Sequence, residues 1–261
     1  MEARHIETAG GRTRIRVYEG GDGPALLYLH GAGGVFPNDP FLALLAKHFR
    51  VSAPLLPGYE DSEGADVLRD MLDVTLHCFD VMDALGLEKP VVVGHSMGGM
   101  IAAEMAAVAP MAIDRLALLA PAGLWFDEAP LPDLFAKLPF ELPALLFHDV
   151  ELGTKMLTAG LDLDDPDFLT EFLIMNAKRF GMAGKLLFPI PDRGLSDRMY
   201  RIKAKTAVIW GAEDGLIPQD PYAQAFVDGI AGAKLTSIPA AGHLLQYEQG
   251  EAVLAAIQEV A

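Results

Sequence analysis

The sequence predicts an α/β fold built on a mostly parallel, doubly wound sheet, and three observations carry that prediction. Short unbroken apolar runs recur at 25–29, 51–56, 90–93, 116–120, 206–210 and 234–238. Strands read this way when helices cover both faces of a sheet. Between the runs lie helix-forming stretches at 40–48, 65–85, 97–109, 220–230 and 248–260, and this βαβ alternation implies parallel strands joined by crossovers. Ahead of the first run, residues 4–8 and 12–19 alternate polar and apolar around Gly10-Gly11, which predicts a hairpin forming an antiparallel edge.

One region breaks the rhythm. From 124 to 192 no strand pattern is visible, but Leu131, Leu134, Phe135 and Leu138 recur at helical spacing, as do Phe168, Leu169, Phe172, Leu173 and Met175. Pro130, Pro132, Pro139, Pro143 and Pro166 punctuate these stretches. The pattern predicts a helical lid inserted after the sixth strand, over the carboxyl end of the sheet. The alternative is that these helices extend the core. The expected organisation is a core of 1–123 and 193–261 with a cap of 124–192.

A length of 261 residues is ample for one sizeable core, and 51% hydrophobic with 21% charged residues is ordinary globular usage. A formal net charge of −16 argues against nucleic-acid binding, which needs clustered Lys and Arg. The N-terminal residues carry no apolar run after their charges, and no stretch approaches the roughly 18 apolar residues of a membrane span. Cys78 is the single cysteine, so no intramolecular disulfide exists, and its helical context reads as a small buried hydrophobe. A cytoplasmic protein without membrane attachment is the simplest expectation. Histidines do not pair at i, i+3 or i, i+4, and one cysteine builds no thiolate cage, so neither a metal nor another cofactor is expected.

The strongest chemical signal is Val91-Val92-Val93-Gly94-His95-Ser96-Met97-Gly98-Gly99-Met100. An apolar strand runs into Gly-x-Ser-x-Gly and then into a helix. A serine at such a sharp turn is forced outward, and its crowded neighbours must be small. Ser96 is therefore the candidate nucleophile. Serine needs a base to take its proton. His243 follows the last apolar run in Ala240-Ala241-Gly242-His243, a loop at a carboxyl strand end, where ligand crevices form. His95 adjoins the serine but points elsewhere at a sharp turn and reads as structural. The imidazole needs a carboxylate to fix its tautomer. Asp214 ends the run Trp210-Gly211-Ala212-Glu213-Asp214 at another carboxyl end, with Asp127 and Glu213 as the other possible acids.

Attack on a carbonyl creates an oxyanion that requires preorganised donors. One is the N–H of Met97, directly after the nucleophile. The other belongs to the loop His30-Gly31-Ala32-Gly33-Gly34, with Ala32 chosen and Gly31 or Gly33 possible. This loop lacks the Lys-Ser/Thr ending of a phosphate-binding loop, so nucleotide binding is not expected.

These residues jointly resemble the α/β-hydrolase superfamily, in its lid-bearing group related to carboxylesterases and carbon–carbon bond hydrolases. The resemblance rests on Leu29-His30-Gly31, Pro57-Gly58-Tyr59-Glu60-Asp61-Ser62, Gly94-His95-Ser96-Met97-Gly98-Gly99, Gly211-Ala212-Glu213-Asp214 with Pro218, and Ala241-Gly242-His243. The chain order serine, acid, histidine is also that of the superfamily. Two positions depart from it: Leu55, where relatives usually have aspartate, and Glu60, where glycine is common. Members with an aspartate nucleophile are excluded by Ser96.

The resemblance implies hydrolysis of a small molecule. The leading expectation is a carboxylic ester with an apolar acyl or aromatic group, because the lid is rich in Leu, Phe and Met; Phe135, Phe147 and Phe172 are its candidate pocket residues. The enzymatic alternative is cleavage of a carbon–carbon bond in a vinylogous 1,5-diketone from aromatic breakdown. Phe188-Pro189-Ile190-Pro191-Asp192-Arg193 followed by Met199-Tyr200-Arg201-Ile202-Lys203 is similar to the lid exit of that group, and Arg179 and Arg193 are candidate anchors for a substrate carboxylate. Against it, that group often has asparagine before the nucleophile, where this chain has His95. A third alternative is a small-ligand receptor with vestigial hydrolysis.

Overall fold

The computed structural model describes residues 1–36, 38–158 and 165–261. The N-terminal hairpin pairs β1 (Glu2–Thr8) with β2 (Thr13–Gly20), in a register that sets Ile6 opposite Ile15. Ile6, Ile15 and Val17 form a small apolar cluster with Val81. The chain then alternates: β3 (Ala25–Leu29), α1 (Pro40–Leu45), β4 (Arg50–Pro54), α2 (Met71–Leu85), β5 (Val91–His95), α3 (Met97–Val108) and β6 (Arg115–Leu119). After the helical insertion come β7 (Lys205–Gly211), α7 (Gln219–Gly229), β8 (Lys234–Ile238), α8 (Leu245–Glu248) and α9 (Gly250–Gln258).

Eight strands form one sheet in the order β1-β2-β4-β3-β5-β6-β7-β8. β1–β2 and β2–β4 are antiparallel and every later pair is parallel. This is the predicted α/β architecture with its antiparallel edge. Its physical basis lies in the central strands: every residue from Leu26 to Leu29, from Val91 to His95 and from Thr206 to Gly211 is buried. Fully burying one Leu, Ile or Val contributes about 1.5–3 kcal/mol, and helices on both faces provide that burial. Cys78 lies in this core, and burial, followed by the nearby Asp80, pushes its thiol up to about 12.

Two expected helices are each split. The 65–85 stretch is a 3₁₀ turn at Ala65–Val67 followed by α2, because the Asp70 side chain accepts the Asp73 N–H and starts a new helix there. The 248–260 stretch breaks at Gln249, whose φ of −131° and ψ of 47° separate α8 from α9.

Between β6 and β7 the described residues hold no strand. They form 3₁₀ turns at Leu134–Ala136 and Pro139–Glu141, then α4 (Leu142–Leu146), α5 (Val150–Leu157) and α6 (Pro166–Leu187). Pro139, Pro143 and Pro166 stand in first turns, where a missing N–H removes no helical bond. Residues 159–164 of the expected insertion, and the side chain of Phe168 in its apolar pattern, lie outside the described residues. No described helix is long and apolar enough to cross a membrane.

Candidate active site

Ser96 sits at the turn from β5 into α3 with φ 53° and ψ −115°. A non-glycine residue with this backbone stores about 1–3 kcal/mol of strain and needs its surroundings to hold it. Here its N–H donates to the Leu119 carbonyl at 2.9 Å, and its carbonyl accepts from Ala122 at 3.0 Å and Met100 at 3.0 Å. The strained residue is thus pinned on both sides, between β6 and its own helix. The glycines are required by crowding. A Cβ on Gly94 would lie 2.3 Å from the Gly98 carbonyl oxygen, and one on Gly98 would lie 2.1 Å from that of Leu29.

Asp214 follows β7 and His243 follows β8. The His243 Nδ1–H donates to Asp214 Oδ2 at 2.8 Å, while Asp214 Oδ1 accepts the N–H groups of Leu216 at 2.9 Å and Ile217 at 2.8 Å. Both side chains are buried. Three N–H donors hold the carboxylate in one orientation. Because Nδ1 carries the proton toward the carboxylate, Nε2 is the basic nitrogen, and it is buried without a hydrogen-bond partner. Of the other two acids, Asp127 is exposed and accepts from Trp125 Nε1 at 2.9 Å. Glu213 accepts the Ala241 N–H at 3.1 Å. The structure therefore brings Asp214, and neither alternative, onto His243.

His95 secures the same loop. Its Nε2–H donates to the His243 carbonyl at 2.9 Å, and burial, followed by the neighbouring His243, pushes its pKa down to about 3. It is a neutral imidazole with one tautomer, in keeping with a structural reading.

The His30–Gly34 loop is fixed by residues that motif reading passed over. His30 Nδ1–H donates to the Gly31 carbonyl at 2.8 Å, and its Nε2 accepts the Leu56 N–H at 3.1 Å. Burial holds the His30 pKa near 4, so it stays neutral and keeps this tautomer. Tyr59 OH donates to the Ala32 carbonyl at 3.0 Å. Ala32 is thereby held from behind, with Met97 buried as the first residue of α3. The only signals for these supports were a histidine directly after a strand and the Tyr in Pro57-Gly58-Tyr59.

Glu248 was also missed. Its Oε2 accepts the Gly242 N–H at 2.7 Å, and its Oε1 accepts the Asp149 N–H at 2.7 Å. Leu244 N–H donates to the Leu146 carbonyl at 3.0 Å. The histidine loop is thus bonded to the α4–α5 junction on either side of His243. A carboxylate five residues beyond His243 was the available signal.

A cavity of about 220 Å³ opens on these groups, with Ala32, Ser96, His95 and His243 in its wall. The insertion contributes Leu134, Phe140, Leu142, Leu146, Leu157, Phe172 and Phe180, and the core contributes Tyr28, Phe36 and Tyr247. Phe172 therefore lies where the sequence placed it, whereas Phe135 and Phe147 stand outside the wall. Phe135 packs edge-on against Phe180 and Phe188, with ring centroids 5.8 and 5.9 Å apart. Phe147 is buried against Gly153, where an added Cβ would lie 2.8 Å from its ring. Helical spacing identifies an apolar face but not which of its members meet a cavity and which meet the next helix.

The two candidate anchors separate in the same way. Arg193 donates through Nε to the Leu186 carbonyl at 3.0 Å and through Nη2 to the Phe188 carbonyl at 2.9 Å, outside the cavity. Arg179 is in the cavity wall, paired with Glu60, and its Nε is buried without a partner. Among the described residues no group of three His, Cys, Asp or Glu side chains is placed to hold a metal ion.

The chain is similar to known hydrolases over most of its length. The 2-hydroxy-6-oxononadienedioate/2-hydroxy-6-oxononatrienedioate hydrolase of Comamonas testosteroni is 30% identical, over 92% of this chain and 88% of its own. The 2-hydroxy-6-oxo-6-phenylhexa-2,4-dienoate hydrolase of Burkholderia cepacia is also 30% identical, over 92% and 88%. The meta-cleavage product hydrolase of Pseudomonas fluorescens superposes with a TM-score of 0.72 at 21% identity, over 98% of this chain and 96% of its own, a likeness of fold. The model of the alpha/beta hydrolase family matches residues 26–256, and the chain belongs to that family.

Proposed function

We propose that this chain is a serine hydrolase that cleaves a carbon–carbon bond in a vinylogous 1,5-diketone bearing a carboxylate. Ser96 is the nucleophile, His243 the base, Asp214 its orienting acid, and the N–H groups of Ala32 and Met97 the oxyanion donors. Residues 124–192 act as the cap that shapes the substrate site. The observation that carries the substrate class is Arg179, a half-buried arginine whose buried Nε–H has no partner, in the wall of an otherwise largely apolar cavity. An apolar acyl group suits the phenylalanines and leucines, and the paired oxygens of a carboxylate suit the N–H donors of the guanidinium. Both relatives at 30% identity are named for 2-hydroxy-6-oxo acids, and the 6-phenyl dienoate of the second joins those two features in one molecule.

The chemistry follows from the residues. In its keto form the substrate carries a ketone at C6 and an α-keto acid conjugated to C3 and C4. Ser96 Oγ adds to C6 as His243 Nε2 takes its proton, and the oxyanion is held by the two N–H donors. Collapse breaks the C5–C6 bond. The electron pair moves through C4 and C3 to the C2 oxygen, giving a dienolate that takes up one proton. The acyl group stays on Ser96 until water, deprotonated by His243, releases it as a carboxylic acid.

A carboxylic ester is the second reading, and one observation favours it. His95 occupies the place before the nucleophile and has its Nε2–H committed to the His243 carbonyl, so that N–H is not offered to a substrate. An ester needs no anchor there. Parallel assays of 2-hydroxy-6-oxo-6-phenylhexa-2,4-dienoate and p-nitrophenyl esters of graded length separate the two: faster turnover of the dienoate supports the first reading, and turnover of esters alone supports the second.

A further inference from the structure

Arg179 is not a free cation in the cavity wall. A guanidinium Nη2–H donates to Glu60, whose side chain lies on the far side: Glu60 is absent from the cavity wall and borders a surface groove with Arg16, Asp61 and Lys178. The pair therefore partitions the molecule, with the guanidinium facing the cavity and the carboxylate facing out. The Arg179 side chain is 12% exposed and that of Glu60 29% exposed, so the pair is only partly screened by water. Asp61, the adjacent carboxylate, is already engaged by Arg16 at 2.6 Å and His5 at 2.9 Å, leaving Glu60 as the counter-charge that reaches Arg179.

The backbone gives a second, independent observation. Glu60 has φ 49°. This left-handed conformation is uncommon for residues other than glycine, asparagine and aspartate. A glycine would fit the turn with less strain but would supply no carboxylate. The strain and the ion pair occur in the same residue.

A lone guanidinium in a low-dielectric wall attracts an anion strongly, whereas one with a carboxylate behind it presents N–H donors and little net charge. We propose that Glu60 suppresses this cavity's discrimination between charged and neutral substrates: by holding Arg179 from outside, it makes the arginine an orienting hydrogen-bond donor, so that a substrate group of that shape binds with little dependence on its charge. The class of group implied is a carboxylate or its neutral isostere, a carboxamide or ester. The inference rests on the reading of this cavity as the substrate site, but not on which bond is cleaved there.

The test is binding rather than turnover. Calorimetric titration with 4-phenylbutyrate and with 4-phenylbutyramide, matched in shape and differing in charge, gives a carboxylate-to-amide affinity ratio for the parent and each variant. The expected ratio is near one in the parent, rises about tenfold in Glu60→Gln and in Glu60→Gly, and shrinks again in high salt. Neither Arg179→Gln nor the double variant Arg179→Gln/Glu60→Gln should show that rise. A purely structural role for Glu60 would weaken both ligands alike and leave the ratio unmoved. An unchanged ratio in both Glu60 variants, with folding verified by circular dichroism, overturns the proposal, as does absence of saturable binding by both ligands in the parent and every variant. Failure of dienoate cleavage with a shifted ratio would instead count only against the substrate assignment above.

Discussion

Glu248 grips the backbone of Gly242, the residue before His243, with Oε2 2.7 Å from its N–H, while its other oxygen holds the N–H of Asp149 at the start of α5. One carboxylate therefore ties the proposed base to the proposed cap. Glu248→Gln keeps the size but offers only one acceptor, so one of the two N–H groups faces an amide donor. Leaving the N–H of buried Gly242 unpaired costs about 1–3 kcal/mol, whereas that of exposed Asp149 can turn to water. The expected result is a lower denaturant midpoint together with a fall of about tenfold in kcat, since 1.4 kcal/mol is tenfold in rate. A variant with parental kcat would show that the clamp does not position His243.

Replacing Ser96 by Ala should lower kcat by roughly 10³-fold or more with the fold intact. A fluorophosphonate should label the parent at Ser96, as read by peptide mass spectrometry. Labelling elsewhere would move the nucleophile.

Asp214→Asn acts through a tautomer. Oδ1 of Asp214 already accepts two backbone N–H groups, so the amide oxygen of the asparagine takes that side and its NH₂ turns to His243. The imidazole must then carry its proton on Nε2, the nitrogen that should be the base. A loss on the order of 10⁴-fold in kcat is expected, and Asp127→Asn should retain parental activity. The reverse pattern would transfer the acid role to Asp127.

Stability should fall between neutral and mildly acid pH. His30, His77 and His95 are held neutral by burial, near 4, 4 and 3 respectively, with Arg12 as the lesser cause at His77. Unfolded histidines titrate near 6.5, so below that pH the unfolded chain binds protons that the folded chain refuses. The stability these groups contribute is fully present above about pH 6.5 and declines as pH falls toward their folded values. Denaturant midpoints measured from pH 7.5 to 4.5 should decrease steadily, and His77→Leu, outside the site, should make the profile shallower. A flat profile would mean that these rings are protonated or exposed.

Cavity shape predicts which phenylalanine matters. Phe172 lines the cavity while Phe135 stands behind Phe180. Phe172→Trp should shift the preferred acyl length among p-nitrophenyl esters toward shorter chains, by about 1–3 kcal/mol per methylene. Phe135→Leu should leave the profile unchanged. Equal profiles for both variants would separate the insertion from substrate choice.

The sheet was legible in the sequence because burial on both faces removes polar residues from a strand, as Leu26–Leu29, Val91–His95 and Thr206–Gly211 show, whereas β8 at the edge is exposed or half-buried from Lys234 to Ser237. The positions of Ser96, Asp214 and His243 were legible because the strand–turn–helix constraint admits few residue types. The supports were not. His30, Tyr59 and Glu248 act through backbone carbonyls and N–H groups, which leave no residue-type signature on the partner. The cavity wall was half legible: helical periodicity marks Phe135, Phe147 and Phe172 alike, and only packing separates Phe172 from the other two. Glu60 stood out in the sequence as a departure from a usual glycine, but nothing there pointed to its pairing with Arg179, 119 positions away.

The most direct test of the account is steady-state turnover of 2-hydroxy-6-oxo-6-phenylhexa-2,4-dienoate, followed by loss of dienolate absorbance and by mass-spectrometric detection of benzoate. The account predicts release of benzoate and a five-carbon 2-hydroxydienoate in equal amounts, with a kcat/KM above that for p-nitrophenyl butyrate, lost in Ser96→Ala. Turnover of the ester with no benzoate from the dienoate would contradict it.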